Sequence, residues 1–120
     1  MKIGEVCLVT QDVPRLAGFY RFLLGIEEQD SNLVHQTILA EEAQLTIWND
    51  GMEHGENGRN IQLAFTVRDV DCEFERLSAA GVEMIEPPQT RPWGAKNMHF
   101  RDPDGNDVYF RSFPKEAGII

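Results

Sequence analysis

Two segments of this chain follow one plan, and that repeat limits the fold more than any other feature. "LVTQDVPRLAGFYRFLLGIE" (8–27) and "AFTVRDVDCEFERLSAAGVE" (64–83) each read as strand, helix and the start of another strand. In the first, Asp12 stands where an N-cap belongs, Pro14 falls in the first turn and Gly25 ends the helix. Asp69 and Gly81 bracket the second helix in the same way. Leu16, Phe19 or Tyr20, and Leu23 form one apolar helix face, and Val70, Phe74 and Leu77 form the other.

Three further strand candidates follow each helix. They are "IEEQD" (26–30), "LVHQTILA" (33–40) and "QLTIWN" (44–49) in the first half. In the second they are "VEMIE" (82–86), "AKNMHFR" (95–101) and "DVYFRSF" (107–113). In the closing hairpin, Asp102 suits the first turn position, Pro103 presets φ at the second and Gly105 fits the fourth. The sequence thus predicts an α+β fold of two βαβββ modules. Their helices cover one side of a curved, mostly antiparallel sheet, and the other side is a concave ligand cleft. The expected organisation is a single domain over 1–120. Module 1 spans about 1–50, a linker 51–59, module 2 60–113 and a tail 114–120, the linker being rich in Gly, Asn and charge.

Composition narrows the function class. A hydrophobic share of 42% supports a core, and no apolar run reaches the roughly 18–20 residues of a membrane span. The net charge is −9 with only 11 Lys and Arg, which disfavours nucleic acid and predicts neither that partner nor a membrane. "MKIGEVCLVT" lacks the apolar run of a signal peptide, so the expected location is cytoplasmic. Cys7 and Cys72 lie in apolar-patterned segments and are expected to be buried thiols.

Strand parity assigns side chains to the cleft. With Val6 and Leu8 turned to the helices, Glu5 and Cys7 take the other face. By the same alternation Gln44, Thr46 and Trp48, then Gln62, Ala64 and Thr66, face the cleft. With Glu41-Glu42 as a hairpin turn, His35 lies across from Trp48. In the last hairpin His99, Arg101, Tyr109 and Arg111 share the cleft face, and Trp93 stands in the preceding loop. The predicted ligand-binding set is Glu5, His35, Gln44, Trp48, Gln62, Trp93, His99, Arg101, Tyr109 and Arg111. His54 falls in the linker and is expected to be exposed.

The repeat, together with "DVPRLAGFYRFLLG" at 12–25, "RPWG" at 91–94 and "DPDGN" at 102–106, resembles the vicinal oxygen chelate superfamily. This is the glyoxalase, bleomycin-resistance protein and extradiol dioxygenase group, and the likeness covers nearly the whole chain. In metal-dependent members, ligands come from equivalent cleft-facing strand positions. The resemblance places those positions at Glu5, Gln44, Gln62 and Tyr109. Only Glu5 among them is an ordinary anionic ligand, so neither a metal nor another cofactor is expected.

The resemblance to bleomycin-resistance proteins implies a homodimer that binds a small organic molecule, with Trp48 and Trp93 as stacking surfaces. Arg101, Arg111 and His99 suit a carboxylate or phenolate ligand better than a cation. Two other readings stay open. One is a metal-dependent isomerase, lyase or dioxygenase with an altered ligand set and Glu5 as base. The other is a structural or regulatory dimer whose cleft is vestigial.

Overall fold

A computed structural model describes residues 3–53, 62–92 and 94–113. The chain divides into two compact units, Met1–Glu56 and Asn57–Ile120.

Unit 1 holds β1 (Glu5–Val9), α1 (Val13–Leu24), β2 (His35–Leu39) and β3 (Gln44–Trp48). Asp12 caps α1 by accepting from the Arg15 amide at 3.2 Å, and Pro14 occupies the first turn. Gly25 ends the helix at φ 69°, a left-handed conformation that glycine adopts without a Cβ penalty. The three strands run in the order β1-β3-β2. β1 pairs parallel with β3, and β2 antiparallel with β3. α1 packs on β2 and β3, burying Leu16, Tyr20 and Leu23 of the helix and Ile38, Leu45 and Ile47 of the strands.

Unit 2 holds β4 (Gln62–Thr66), α2 (Val70–Ala79), β5 (Met84–Thr90), β6 (Lys96–Arg101) and β7 (Asp107–Ser112). Asp69 caps α2 through the Asp71 and Cys72 amides. The sheet order is β4-β7-β6-β5, with β4 parallel to β7 and the other pairs antiparallel. Phe110 lies edge-on to both Phe65 and Phe100, with centroids 5.9 and 5.3 Å away. Val70 and Leu77 of α2 and Met98, Phe100, Val108 and Phe110 of the strands are buried.

The two helices, their N-caps and the closing hairpin fall where the sequence predicts, while α2 is C-capped by Ala80 and Gly81 follows it at φ 88°. The Gly105 amide donates to the Asp102 carbonyl at 2.9 Å, closing the four-residue turn, and the Asp102 side chain accepts from the Asp104 and Asn106 amides.

One strand and both thiols differ from expectation. The segment 26–30 is not a strand, so the described residues of unit 1 form three strands where βαβββ predicts four. "IEEQD" has a single apolar residue at its start and no alternation to bury. Gln36 of β2 instead turns inward and bonds this stretch from below. Its Nε2 donates to the Asp30 and Asn32 carbonyls, and its Oε1 accepts from buried Arg21. Cys7 and Cys72 are free and exposed rather than buried. Cys7 shares the outward parity of Glu5, and Cys72 rides on α2 beside its N-cap Asp69. His54, Trp93 and the tail 114–120 lie outside the described residues.

Candidate functional site

Each sheet turns one face to its helix, and the alternation that buries that face sends every second side chain to the other. In unit 1 the outward set is Glu5 and Cys7 on β1, Gln44, Thr46 and Trp48 on β3, and His35 and Thr37 on β2. Register places Glu5 beside Gln44, Cys7 beside Thr46, and His35 opposite Trp48. The Glu5 carboxylate is engaged from the side. Its Oε2 accepts from Gln44 Nε2 at 2.8 Å and from Thr46 Oγ1 at 2.7 Å. These bonds, Thr46 first and Gln44 second, hold the Glu5 carboxyl below its ordinary pKa, with His35 adding a smaller push. Such a carboxylate is a poor proton acceptor near neutrality. The Cys7 thiol is pushed up by desolvation and then by Glu5, so it is not a ready nucleophile.

In unit 2 the outward grid has Gln62, Ala64 and Thr66 on β4, Asp107, Tyr109 and Arg111 on β7, and Arg101, His99 and Asn97 on β6. His99 is only 9% exposed and stacks on Tyr109, with ring centroids 4.4 Å apart and planes 9° from parallel. Asp107 Oδ1 lies 2.9 Å from His99 Nε2 and accepts from Arg101 Nε at 3.2 Å. His99, ahead of Arg101, holds the Asp107 carboxyl below its ordinary pKa. An ionised Asp107 can only accept, so Nε2 is a protonated ring nitrogen, and in a neutral imidazole Nδ1 is then the acceptor. Arg111 Nε donates to Thr66 Oγ1 at 3.0 Å, and its guanidinium lies over Phe113, 5.2 Å from the centroid.

Unit 1 brings together Glu5 and Gln44, with His35 facing Trp48. Unit 2 brings together His99, Arg101, Tyr109 and Arg111, with Gln62 on the adjacent strand. Three groups outside the predicted set bond members of it: Asp107 lies against His99, Thr46 donates to Glu5 and Thr66 accepts from Arg111. Parity carries the missing signal for Asp107, since it stands two residues before Tyr109 on the same strand.

The donor chemistry fits a transition metal poorly. At the strand positions the resemblance assigns to ligands, unit 1 supplies one carboxylate, already accepting two hydrogen bonds, and one carboxamide. Unit 2 supplies a carboxamide at Gln62 and the phenol of Tyr109, stacked against His99. Among the described residues no three His, Cys, Asp or Glu side chains group as a metal site.

With this geometry in hand, the sequence profile of the Glyoxalase/Bleomycin resistance protein/Dioxygenase superfamily matches residues 2–110. The chain belongs to that superfamily. It is 29% identical to the uncharacterized protein YraH of Bacillus subtilis (strain 168), covering 88% of this chain and 94% of that protein. It is also 30% identical to a manganese-dependent 2,3-dihydroxybiphenyl 1,2-dioxygenase of Geobacillus genomosp. 3, over 91% of this chain but only 36% of that enzyme. Among solved structures, a glyoxalase/bleomycin resistance protein/dioxygenase from Nocardioides superposes with a TM-score of 0.76 at 24% identity. That superposition covers 94% of this chain and 83% of the other, and it establishes the shared superfamily fold. No helix among the described residues is long and apolar enough to cross a membrane.

Proposed function

We propose that this superfamily member binds a small organic molecule on its outward sheet faces without a catalytic metal, as a cytoplasmic homodimer. The observation that carries the reading is Tyr109. At the strand position where metal-dependent relatives bring a carboxylate, the chain has a phenol stacked flat on His99. Glu5, the one carboxylate carried over from the resemblance, is already bonded by Thr46 and Gln44. What the faces offer is a set of hydrogen-bonding groups around aromatic rings, the composition of an organic-ligand site.

The test is a protein-observed NMR screen of EDTA-treated, isotope-labelled protein with aromatic acids, amines and neutral compounds. Hits that shift the Tyr109 and His99 resonances are expected. A screen in which no compound of any charge binds would overturn the reading. Sedimentation at micromolar concentration tests the dimer, and a single monomeric species there would remove it.

A second reading, a metal-dependent enzyme, draws its support from the similarity to the manganese-dependent dioxygenase. In it, Glu5 contributes one anionic donor. The remaining donors would have to be neutral oxygens, His35 or Cys7 on the same face, or His99, whose Nε2 lies against Asp107.

A further inference from the structure

The two arginines on the outward face of unit 2 are in different situations. Arg101 is engaged by Asp107. Arg111 has no acidic partner among the described residues, in a chain with 20 Asp and Glu. Its neighbours across the sheet, Thr66 and Asn97, are neutral. Thr66 takes Nε and Phe113 lies beneath the guanidinium, so the plane of the fork is held, and among the described residues its two Nη groups have no partner. A planar, fixed guanidinium with open Nη donors matches a carboxylate edge, and holding it beforehand lowers the ordering cost of binding. The chain's distant carboxylates are screened beyond roughly 8 Å at physiological salt, so this local cation governs which ligand charge is accepted.

A second polar group lies at a useful spacing. Asn97 is opposite Arg111 and His99 opposite Tyr109, which makes His99 the diagonal neighbour of Arg111, with backbone positions roughly 7–8 Å apart. With Nε2 against Asp107, a neutral His99 ring has Nδ1 left as an acceptor. Among the described residues Nδ1 has no hydrogen-bond partner, and because no buried side-chain nitrogen or oxygen there lacks one, Nδ1 is not fully enclosed. Between the two groups lies Tyr109, flanked on β4 by the short side chain of exposed Ala64.

The geometry points to an aromatic carboxylate as the ligand class, its carboxylate on Arg111, its ring beside Tyr109 and a ring hydroxyl donating to His99 Nδ1. The inference rests on the small-molecule reading above and names the chemistry of that molecule.

It is tested by titrating isotope-labelled full-length protein with 4-hydroxybenzoate, benzoate, benzamide and benzylamine. Shifts at the Arg111 Nε–H and Tyr109 amide are the readout. Expected is binding of both carboxylates, 4-hydroxybenzoate the tighter, with benzamide and benzylamine at least about tenfold weaker, one factor of ten being about 1.4 kcal/mol. Arg111→Gln should weaken the carboxylates about tenfold or more, and Arg68→Gln, on an exposed loop, should leave them unchanged. Thr66→Val, which keeps the arginine but frees its Nε, should give a smaller loss and guards against a folding defect in Arg111→Gln. In His99→Phe the preference for 4-hydroxybenzoate over benzoate should vanish. Benzamide or benzylamine binding as tightly as benzoate, or undiminished carboxylate binding in Arg111→Gln, overturns the carboxylate assignment while leaving the small-molecule reading intact. Failure of all four probes, with other compounds in the screen binding, overturns the assignment alone. Failure of every compound overturns both.

Discussion

The two units share a plan and differ in what they put on it. Each places the strand before its helix parallel to the last strand of the unit, and each sends alternate residues of three adjacent strands to the face away from the helix. On unit 1 that face has one carboxylate at Glu5, held by an amide and a hydroxyl. On unit 2 it has a His–Asp pair, two arginines and a stacked tyrosine. The edges differ as well. Unit 2 covers β6 with β5, an edge strand that tolerates Pro87 and Pro88 and an irregular register. Unit 1 has no such strand, and the side chain of Gln36 bonds the chain there instead. The repeated backbone pattern is set by apolar periodicity. The chemistry is set by residues that the period leaves free, so it diverges without disturbing the fold.

The contrast can be broken most forcefully in the cores. Phe110→Ala removes the ring that joins Phe65 and Phe100 in unit 2 and should cost about 3–5 kcal/mol in chemical denaturation. A cost below about 1 kcal/mol would mean that unit 2 does not depend on this aromatic cluster. Next comes the edge of unit 1. Gln36→Leu takes the acceptor from buried Arg21 and both bonds from the Asp30–Asn32 stretch, at an expected cost of about 2–3 kcal/mol. The same measurement on a variant of an exposed polar residue in β5, Gln89→Leu, should stay within about 0.5 kcal/mol.

Acid sensitivity should follow the same division. Asp107 has a lowered carboxyl pKa in the folded protein, from His99 first and Arg101 second. Its stabilisation is therefore present above the unfolded value of about 3.9 and is lost as pH falls through the folded value. Asp107→Asn should lower the unfolding temperature by a few degrees at pH 7, and this deficit should shrink towards zero well below pH 3.9. A deficit that is constant with pH would show that the carboxylate charge is not what matters. The smallest effect belongs to Glu5, which is exposed on unit 1. Its pKa is also lowered, by Thr46 and Gln44, so Glu5→Gln should show the same sign of pH dependence with a clearly smaller change in unfolding temperature. A larger deficit in Glu5→Gln than in Asp107→Asn would reverse the comparison.

Much of this architecture was legible in the residues because the decisive signals are local. Asp12, Pro14 and Gly25 mark one helix, Asp69 marks another, and the Asp102–Gly105 turn closes the last hairpin. Parity then sorted the outward side chains of β1, β3, β4, β6 and β7. What the sequence concealed involves choices between partners. Counting strands by repeat supplied a strand at 26–30 that its own residues cannot bury. Cys7 and Cys72 seemed internal from their apolar neighbours, whereas parity and helix position put them outside. Asp107 stood in the sequence only as the first residue of the last strand, and its contacts emerge only once β6 and β7 set His99 and Arg101 around one carboxylate oxygen.

The most direct test of the central claim is thermal unfolding of EDTA-stripped protein with and without Ni²⁺, Zn²⁺, Mn²⁺ and Fe²⁺. A metal present at about 100 times its dissociation constant adds roughly 2.7 kcal/mol, which for a chain of this length is a rise of several degrees. The account predicts no rise with any of the four. A clear rise with one of them, lost in Glu5→Ala, would contradict it and make this chain a metal-dependent member of its superfamily.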